Sequence, residues 1–410
     1  MIFPVFIVLY GLAHVYIWQA IVSGVPLPIW AQGLLAFGLL VLGLTPFLAR
    51  RLERRGYVQL GRLFAWVGYT WAGLVLLFVL ARFGTDLLMV VAAAAGWSVP
   101  EGLMRSLSLI ATGILTATLA VYAFIERSRV RVELIAVPTA KAIGTSAFLK
   151  VAQISDVHIG SMNGRRRIRA VVRRLKEICP DVVVSTGDLI DSRVGLAIPV
   201  TELLAAVQPP LGKFAVIGNH ECYAGLDSSL AFMERAGFTV LRNQAVLVRG
   251  IRLVGMDDPA AGEASQLTFQ EQQLLRELPD TVFTILLKHR PDLVLGSHTR
   301  FDLQLSGHTH KGQMFPFGFL TRLYYPAHAG LFRLAQASYL YVSRGTGAWG
   351  PPFRLLAPPE ITVFTIGQGC PDPGGQPVPQ GREAGAAGIS RPPTSVTAYA
   401  AAAFRRPSRR

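Results

Sequence analysis

The chain has 410 residues, room for two or three domains, with a formal net charge of +15 and a mean hydropathy of +0.41. Basic soluble proteins are seldom that apolar, so part of the chain belongs in a membrane, and the cationic excess reads first as membrane flanks rather than a nucleic-acid surface. The three cysteines, Cys179, Cys222 and Cys370, are odd in number and lack metal-type spacing; they describe no disulfide framework and fit a reducing compartment.

Four apolar stretches, residues 2–22, 29–48, 63–81 and 107–124, are long enough to span, since about 20 helical residues cross the hydrocarbon core. No positive charge precedes the first, as one would in a cleaved leader. A fifth stretch, 87–95, is too short to cross alone; it either lies at the interface or extends the third span. Orientation comes from the arginines. Arg50, Arg51, Arg54, Arg55 and Arg62 lie after the second span, and Arg127, Arg129 and Arg131 after the fourth. Basic flanks stay in the cytoplasm, which requires an even number of spans. The expected protein is multi-pass in the inner membrane, with the chain beyond residue 128 cytoplasmic; a fifth span would reverse the side. His14 is the one ionisable residue deep in an expected span, and an imidazole bonded to a neighbouring helix is the cheaper reading of it.

From 129 to 366 short β-branched runs alternate with helical stretches, which indicates an α/β domain. The later strands come without helices between them, so a second, more antiparallel sheet is expected against the first. The helix 165–178 has a core face of Ile168, Val171, Val172, Leu175 and Ile178. Its other face carries Arg165, Arg166, Arg167, Arg169, Arg173, Arg174 and Lys176, fit for solvent, anionic lipid or substrate phosphate. Residues 367–410 are rich in Gly, Pro and Ala and are expected to form a disordered basic tail.

Five motifs come after apolar runs in order: Asp156 and His158 in DVH; Gly187, Asp188 and Asp191 in GDLID; Gly218, Asn219, His220 and Glu221 in GNHE; His289 in KH; and Gly307, His308 and His310 in GHTH. Strand ends of an α/β sheet share one crevice, so these groups converge. Asp156, Asp188, Asn219, His158, His289, His308 and His310 are too many ligands for one ion and suit two that share a carboxylate, ~3.5–4 Å apart. Mixed imidazole and carboxylate favours Mn, Fe or Zn over Mg or Ca. His298 and His328 pair with nothing by spacing, and Cys222 reads as a small buried residue.

The set DVH…GDLID…GNHE…H…GHTH resembles the calcineurin-like metallophosphoesterase superfamily over about residues 148–366. ISDVHIG, SGHTHKGQ, SRGTGAWGPPFR and APPEITVFTI are similar to its membrane-tethered bacterial YkuE/YaeI-like branch. The resemblance implies a four-layer αββα sandwich, here preceded by an all-α transmembrane domain over 1–128. It places Asp156, His158 and His310 on one ion, Asn219, His289 and His308 on the other, and Asp188 between them. It implies attack on phosphorus by a hydroxide shared by the metals, with His220 facing the scissile phosphate, Glu221 orienting His220 and Asp191 farther out. Glu221 stands where many relatives have Asp. Some of that branch and its relatives cleave the pyrophosphate of UDP-diacylglucosamine. The aromatics at 315, 317, 319, 324, 325, 332, 339 and 341 suggest either a surface for lipid or packing under the last strands. The expected function is a metal-dependent phosphatase or phosphodiesterase on a phosphoester or pyrophosphate, possible partners being the bilayer and a lipid-linked substrate. A nuclease lacks aromatic–basic interleaving to support it, and a metal-binding sensor would need to have kept its full ligand set.

Overall fold

The computed structural model describes residues 2–97, 100–144, 147–191, 193–334, 338–370 and 376–377. They divide into two compact units, Met1–Glu126 with Gly350–Leu355, and Arg127–Trp349 with Leu356–Arg410. The expected tail falls mostly outside the described residues.

The first unit holds α1 (Ile2–Gly24), α2 (Ile29–Arg54), α3 (Val58–Ala94) and most of α4 (Glu101–Ser128), each long and apolar enough to cross a membrane. Residues 87–94 continue α3, which reaches 37 residues, so the described residues contain four candidate spans and no separate fifth. At ~1.5 Å per residue α3 is about 55 Å long, well beyond a hydrocarbon core of about 30 Å. A Cβ on Gly68 would lie 2.6 Å from the Pro46 nitrogen, so α2 and α3 touch through a small residue, as packed membrane helices do. His14 accepts from Trp71 Nε1 at 2.9 Å, which leaves its Nδ1 to donate to the Tyr10 carbonyl at 2.7 Å. Arg82 and Asp86 also lie inside α3. They pair at 2.8 Å, Asp86 accepts from the Tyr16 hydroxyl at 2.6 Å, and Arg82 donates to Ser108 at 3.1 Å.

The second unit runs β1 (Arg131–Pro138), β2 (Phe148–Ile154), α5 (Arg165–Ile178), β3 (Val182–Thr186), α6 (Val194–Ala197), α7 (Thr201–Ala205), β4 (Lys213–Val216), α8 (Asn219–Ala224), α9 (Leu226–Arg235), β5 (Thr239–Val240), β6 (Gln244–Val248), β7 (Ile251–Gly255), α10 (Ala264–Arg276), β8 (Phe283–Leu287), β9 (Leu303–Ser306), α11 (Phe317–Tyr324), β10 (Gly330–Arg333), β11 (Tyr339–Val342), β12 (Glu360–Gly367) and β13 (Gln376–Pro377). Two sheets result, ordered β1-β12-β2-β3-β4-β5 and β13-β10-β11-β9-β8-β7-β6. Val151, Val184, Val216, Leu253, Ile285, Leu305 and Phe364 fill the space between them. Ile168 and Leu175 of α5 with Phe232 and Met233 of α9 cover the outer face of the first sheet, and Leu275 of α10 packs on the outside of the second. The layering is αββα.

The second sheet is the more antiparallel of the two, with two antiparallel pairs against one, β12–β2, in the first, although its core is parallel. β7, β8, β9 and β11 run parallel, and the antiparallel pairs are β6–β7 and β10–β11. The crossovers explain the parallel core: α10 joins β7 to β8, and fifteen residues, 288–302, join β8 to β9, lengths that parallel neighbours need. Residues 194–205 form α6, a 3-10 turn at Ile198–Val200 and α7 in place of one continuous helix, because Pro199 cannot donate within a helix. On α5 Ile168, Val171, Val172 and Leu175 are buried, Ile178 is half-buried and most arginines are exposed. Arg167 turns inward and donates to the Thr346 carbonyl at 2.7 Å.

Candidate metal centre

β2, β3 and β4 lie parallel and in order, and β8 and β9 do so in the other sheet. Their carboxyl ends release the motif loops into one crevice. The loops after β2 and β3 run side by side: Asp156 N–H donates to the Gly187 carbonyl, and His158 N–H to that of Asp188, both at 3.0 Å. The approach of the other loops is as close. A Cβ on Gly307 would sit 2.2 Å from an Asp156 carboxylate oxygen, and one on Gly218 2.2 Å from an Asp188 oxygen. Only glycine fits there.

Asp156, His158, Asp188, His308 and His310 all have left-handed backbones, with φ of 51°, 50°, 52°, 71° and 49°. Such conformations cost ~1–3 kcal/mol each in non-glycine residues and persist where surrounding structure imposes them, often at functional sites. Five in one crevice are hard to explain as turn chemistry.

The seven expected ligands gather in two knots, and a third group, His158 with Asp191 and His220, overlaps the first. Asp156, His158 and His310 lie together, as do Asp188, His289 and His308. His158 Nε2 is 3.0 Å from His310 Nε2, and His310 Nε2 is 3.3 Å from Asp156 Oδ1. In the second knot His289 Nε2 lies 3.1 Å from His308 Nδ1, 3.2 Å from Asn219 Oδ1 and 3.3 Å from Asp188 Oδ2. The same Asp188 oxygen is 3.8 Å from His158 Nε2, so Asp188 faces both knots. All seven predicted ligands meet here.

The chemistry of this donor set fits cations. His289 Nδ1 is 2.8 Å from the Thr186 carbonyl and must donate to it. In a neutral ring Nε2 is then a lone pair aimed at other acceptors. Acceptors crowded upon acceptors are stable only around positive charge. The electrostatics show the same demand for positive charge, met by a proton on His289. Burial lowers the His289 pKa, but the Asp188 charge and hydrogen bond overcome it and lift it to about 10. Burial raises Asp188, yet His289 and His220 hold it well below the usual carboxylate range. His308 is pushed well down by burial and by the neighbouring charges of His289 and Arg290.

Glu221 is not behind His220. Its fully buried carboxylate accepts from the backbone N–H groups of Gly218 at 2.8 Å, Asp188 at 2.9 Å and Ile190 at 3.0 Å. It stitches two ligand loops together; the sequence could not reveal this, because the N–H groups come from separate strands. The partner of His220 is Asp191, through its carbonyl at 2.7 Å and a carboxylate oxygen at 3.3 Å. Asp191 also approaches His158 at 3.6 Å. Burial alone would lower the His220 pKa, but Asp188 and Asp191 raise it to about 9.

Other residues frame the site without having been singled out. The Gln313 side chain exchanges two hydrogen bonds with the Trp349 backbone, at 2.7 and 2.8 Å, and the Trp349 ring stands 6.1 Å from that of His220. Both lie in runs that carried the branch resemblance. Tyr325, one of the aromatics noted in the sequence, meets His308 edge-on at 5.5 Å, and Arg290 forks the buried Asp258 at 2.8 and 3.0 Å; no motif marked Arg290 or Asp258. Cys222 is half-buried, its thiol pushed up to about 12 by burial and nearby carboxylates, which disfavours the thiolate. His298 and His328 lie outside both knots.

A family model for calcineurin-like phosphoesterases matches residues 149–312. An uncharacterized metallophosphoesterase of Aquifex aeolicus is 37% identical over 251 residues, which cover 60% of this chain and 96% of that one. The uncharacterized metallophosphoesterase YkuE of Bacillus subtilis is 34% identical over 53% of this chain and 78% of its own. A transmembrane protein with a metallophosphoesterase domain from Danio rerio is 32% identical over 62% of each. With four apolar helices ahead of an αββα unit and two knots of ligands at its strand ends, the chain is a membrane protein that belongs to the calcineurin-like metallophosphoesterase family, whose members hydrolyse phosphoesters with a pair of metal ions.

Proposed function

We propose that the protein hydrolyses a phosphoester or pyrophosphate bond in a lipid-linked substrate, UDP-diacylglucosamine being one such compound, from the cytoplasmic side of the inner membrane. The observation that carries the reading is the meeting of two acceptor knots on Asp188. Asp156, His158 and His310 would hold one divalent ion, Asn219, His289 and His308 the other, and Asp188 both; the donors suit Mn, Fe or Zn. When bound, the pair supplies Lewis acidity to the phosphoryl group and makes a nucleophile available at neutral pH.

The chain's own groups do the rest. The Asp191 carbonyl fixes His220 Nδ1 as the donor, which leaves Nε2 to hold a proton and pass it to the leaving oxygen. Glu221 keeps the Asp188 and Asn219 loops in register. The lipid reading is supported by a cavity of about 310 Å³ that opens from His308 and Thr309 along Phe317, Leu320, Thr321, Tyr324 and Tyr325. It offers one metal ligand at its base and an apolar wall above, which suits a phosphate that carries a hydrocarbon chain. The cytoplasmic placement is supported by the arginines at the end of α2 and the start of α3, Arg50, Arg51, Arg54, Arg55 and Arg62, and by the even number of spans.

The test is purified full-length protein with Mn²⁺ on bis-p-nitrophenyl phosphate, wild type against Asp188→Asn. Loss of turnover in the variant is expected, and equal rates would refute the reading. Preference for a diacylated nucleotide sugar over its deacylated form tests the lipid part.

A further inference from the structure

α11 is unusual among the described α-helices of its unit, since none of its eight residues is buried. Short helices hold together in water by packing an apolar face against something. Phe317, Leu320, Thr321 and Tyr324, at i, i+3, i+4 and i+7, form the side that walls the cavity beside His308. Phe319 and Leu323 belong to the other side, and 66% and 79% of their surfaces are exposed. Phe315, just before the helix, adds a third exposed ring at 42%. The aromatics that pack beneath the last strands are different ones: Phe332, Tyr339 and Tyr341, all buried.

We infer that α11 is an interfacial helix whose outer side, Phe319 and Leu323, inserts into the lipid bilayer, so that the cavity beside His308 opens at the lipid boundary. Three observations select the bilayer as the occupant. The described residues include four helices long and apolar enough to cross a membrane, and β1 begins three residues after α4 ends, so the unit that carries α11 is tethered to lipid by a short connection. Between residues 312 and 332 the only formal charge is Arg322, with Lys311 and Arg333 at the margins; a cationic rim around an apolar centre suits an anionic leaflet. The pattern is also that of helices that lie in the membrane plane, apolar toward the acyl boundary. The inference rests on the membrane reading of the four helices and deepens the proposed function, since a lipid-borne phosphate would then enter from the bilayer.

The test uses the full-length protein in vesicles of phosphatidylethanolamine and phosphatidylglycerol. An environment-sensitive fluorophore is attached at Leu323→Cys, with Cys179→Ser, Cys222→Ala and Cys370→Ser removing the native thiols. A second sample carries the label at Phe269→Cys on α10, where 64% of the side chain is exposed. Lipids brominated on the acyl chain should quench the label at 323 at least about twofold more than the label at 269, as insertion to the acyl boundary requires. Equal quenching would overturn the proposal. So would shielding of the label at 323 that grows with protein concentration without bromolipid quenching, which would mean a second copy covers the helix. Turnover of bis-p-nitrophenyl phosphate is read separately, so failure of the proposed function leaves the quenching result interpretable.

Discussion

Each unit holds a histidine inside a polar network, and the two settings are opposites. His14, in the helical unit, has a donor on one ring nitrogen and an acceptor on the other, Trp71 at 2.9 Å and the Tyr10 carbonyl at 2.7 Å. Its hydrogen bonding is complete. His289, in the αββα unit, spends Nδ1 on the Thr186 carbonyl at 2.8 Å and turns Nε2 toward Asn219, Asp188 and His308. A closed network stabilises a fold. One that ends in facing acceptors needs positive charge among them, a proton or a metal ion, and the second arrangement is kept for chemistry.

The comparison is sharpened most by Asp188→Asn, which removes the charge that both knots face. Metal content, measured by mass spectrometry after gentle purification, should fall below two ions per chain, and turnover of bis-p-nitrophenyl phosphate by at least about 100-fold. Chelation of the wild type should do the same and lower its thermal midpoint, because ions that bind only the folded state stabilise it. A variant that kept both ions and full activity would break the contrast.

Next in size is His220→Gln. A positioned proton donor contributes typically ~10²–10⁴ in rate, so kcat should fall by about that factor while metal content stays at the wild-type level. A loss of metal instead would make His220 a ligand.

Glu221→Gln should act differently, on stability first. Three buried backbone N–H groups share that carboxylate, and an amide in its place turns a donor toward some of them. Each group left unsatisfied costs ~1–3 kcal/mol, so the thermal midpoint should drop clearly, with a smaller loss of turnover than for His220→Gln. The reverse order would return Glu221 to the role of orienting His220.

Much of the αββα unit was legible because its chemistry is local. A ligand that closes an apolar run, as Asp156 and His158 close β2, marks both a strand and a site, and five such endings define one edge. What depends on tertiary neighbours was hidden. Glu221 and Asp191 exchange their expected roles because of which backbone groups the folded loops present. The parallel core of the second sheet depended on the fifteen residues between β8 and β9 forming a crossover. Arg82 and Asp86 escaped notice because the apolar stretch ends at residue 81, although the helix does not. α11 was read as part of an aromatic stretch; its helical spacing separates a wall for the cavity from a face for lipid only once the cavity exists.

The smallest effect, and the strictest control on the contrast, is Trp71→Phe. It removes the donor to His14 and leaves an aromatic ring of similar size in the helical unit. Hydrogen bonds between membrane helices are worth about 0.6 kcal/mol on average, so unfolding in detergent should shift only slightly. Metal content and turnover should not change, because a network that is already closed holds no ion. If Trp71→Phe lowered either one, the helical unit would be shaping the metal centre, and a closed hydrogen-bond network could no longer be read as structural.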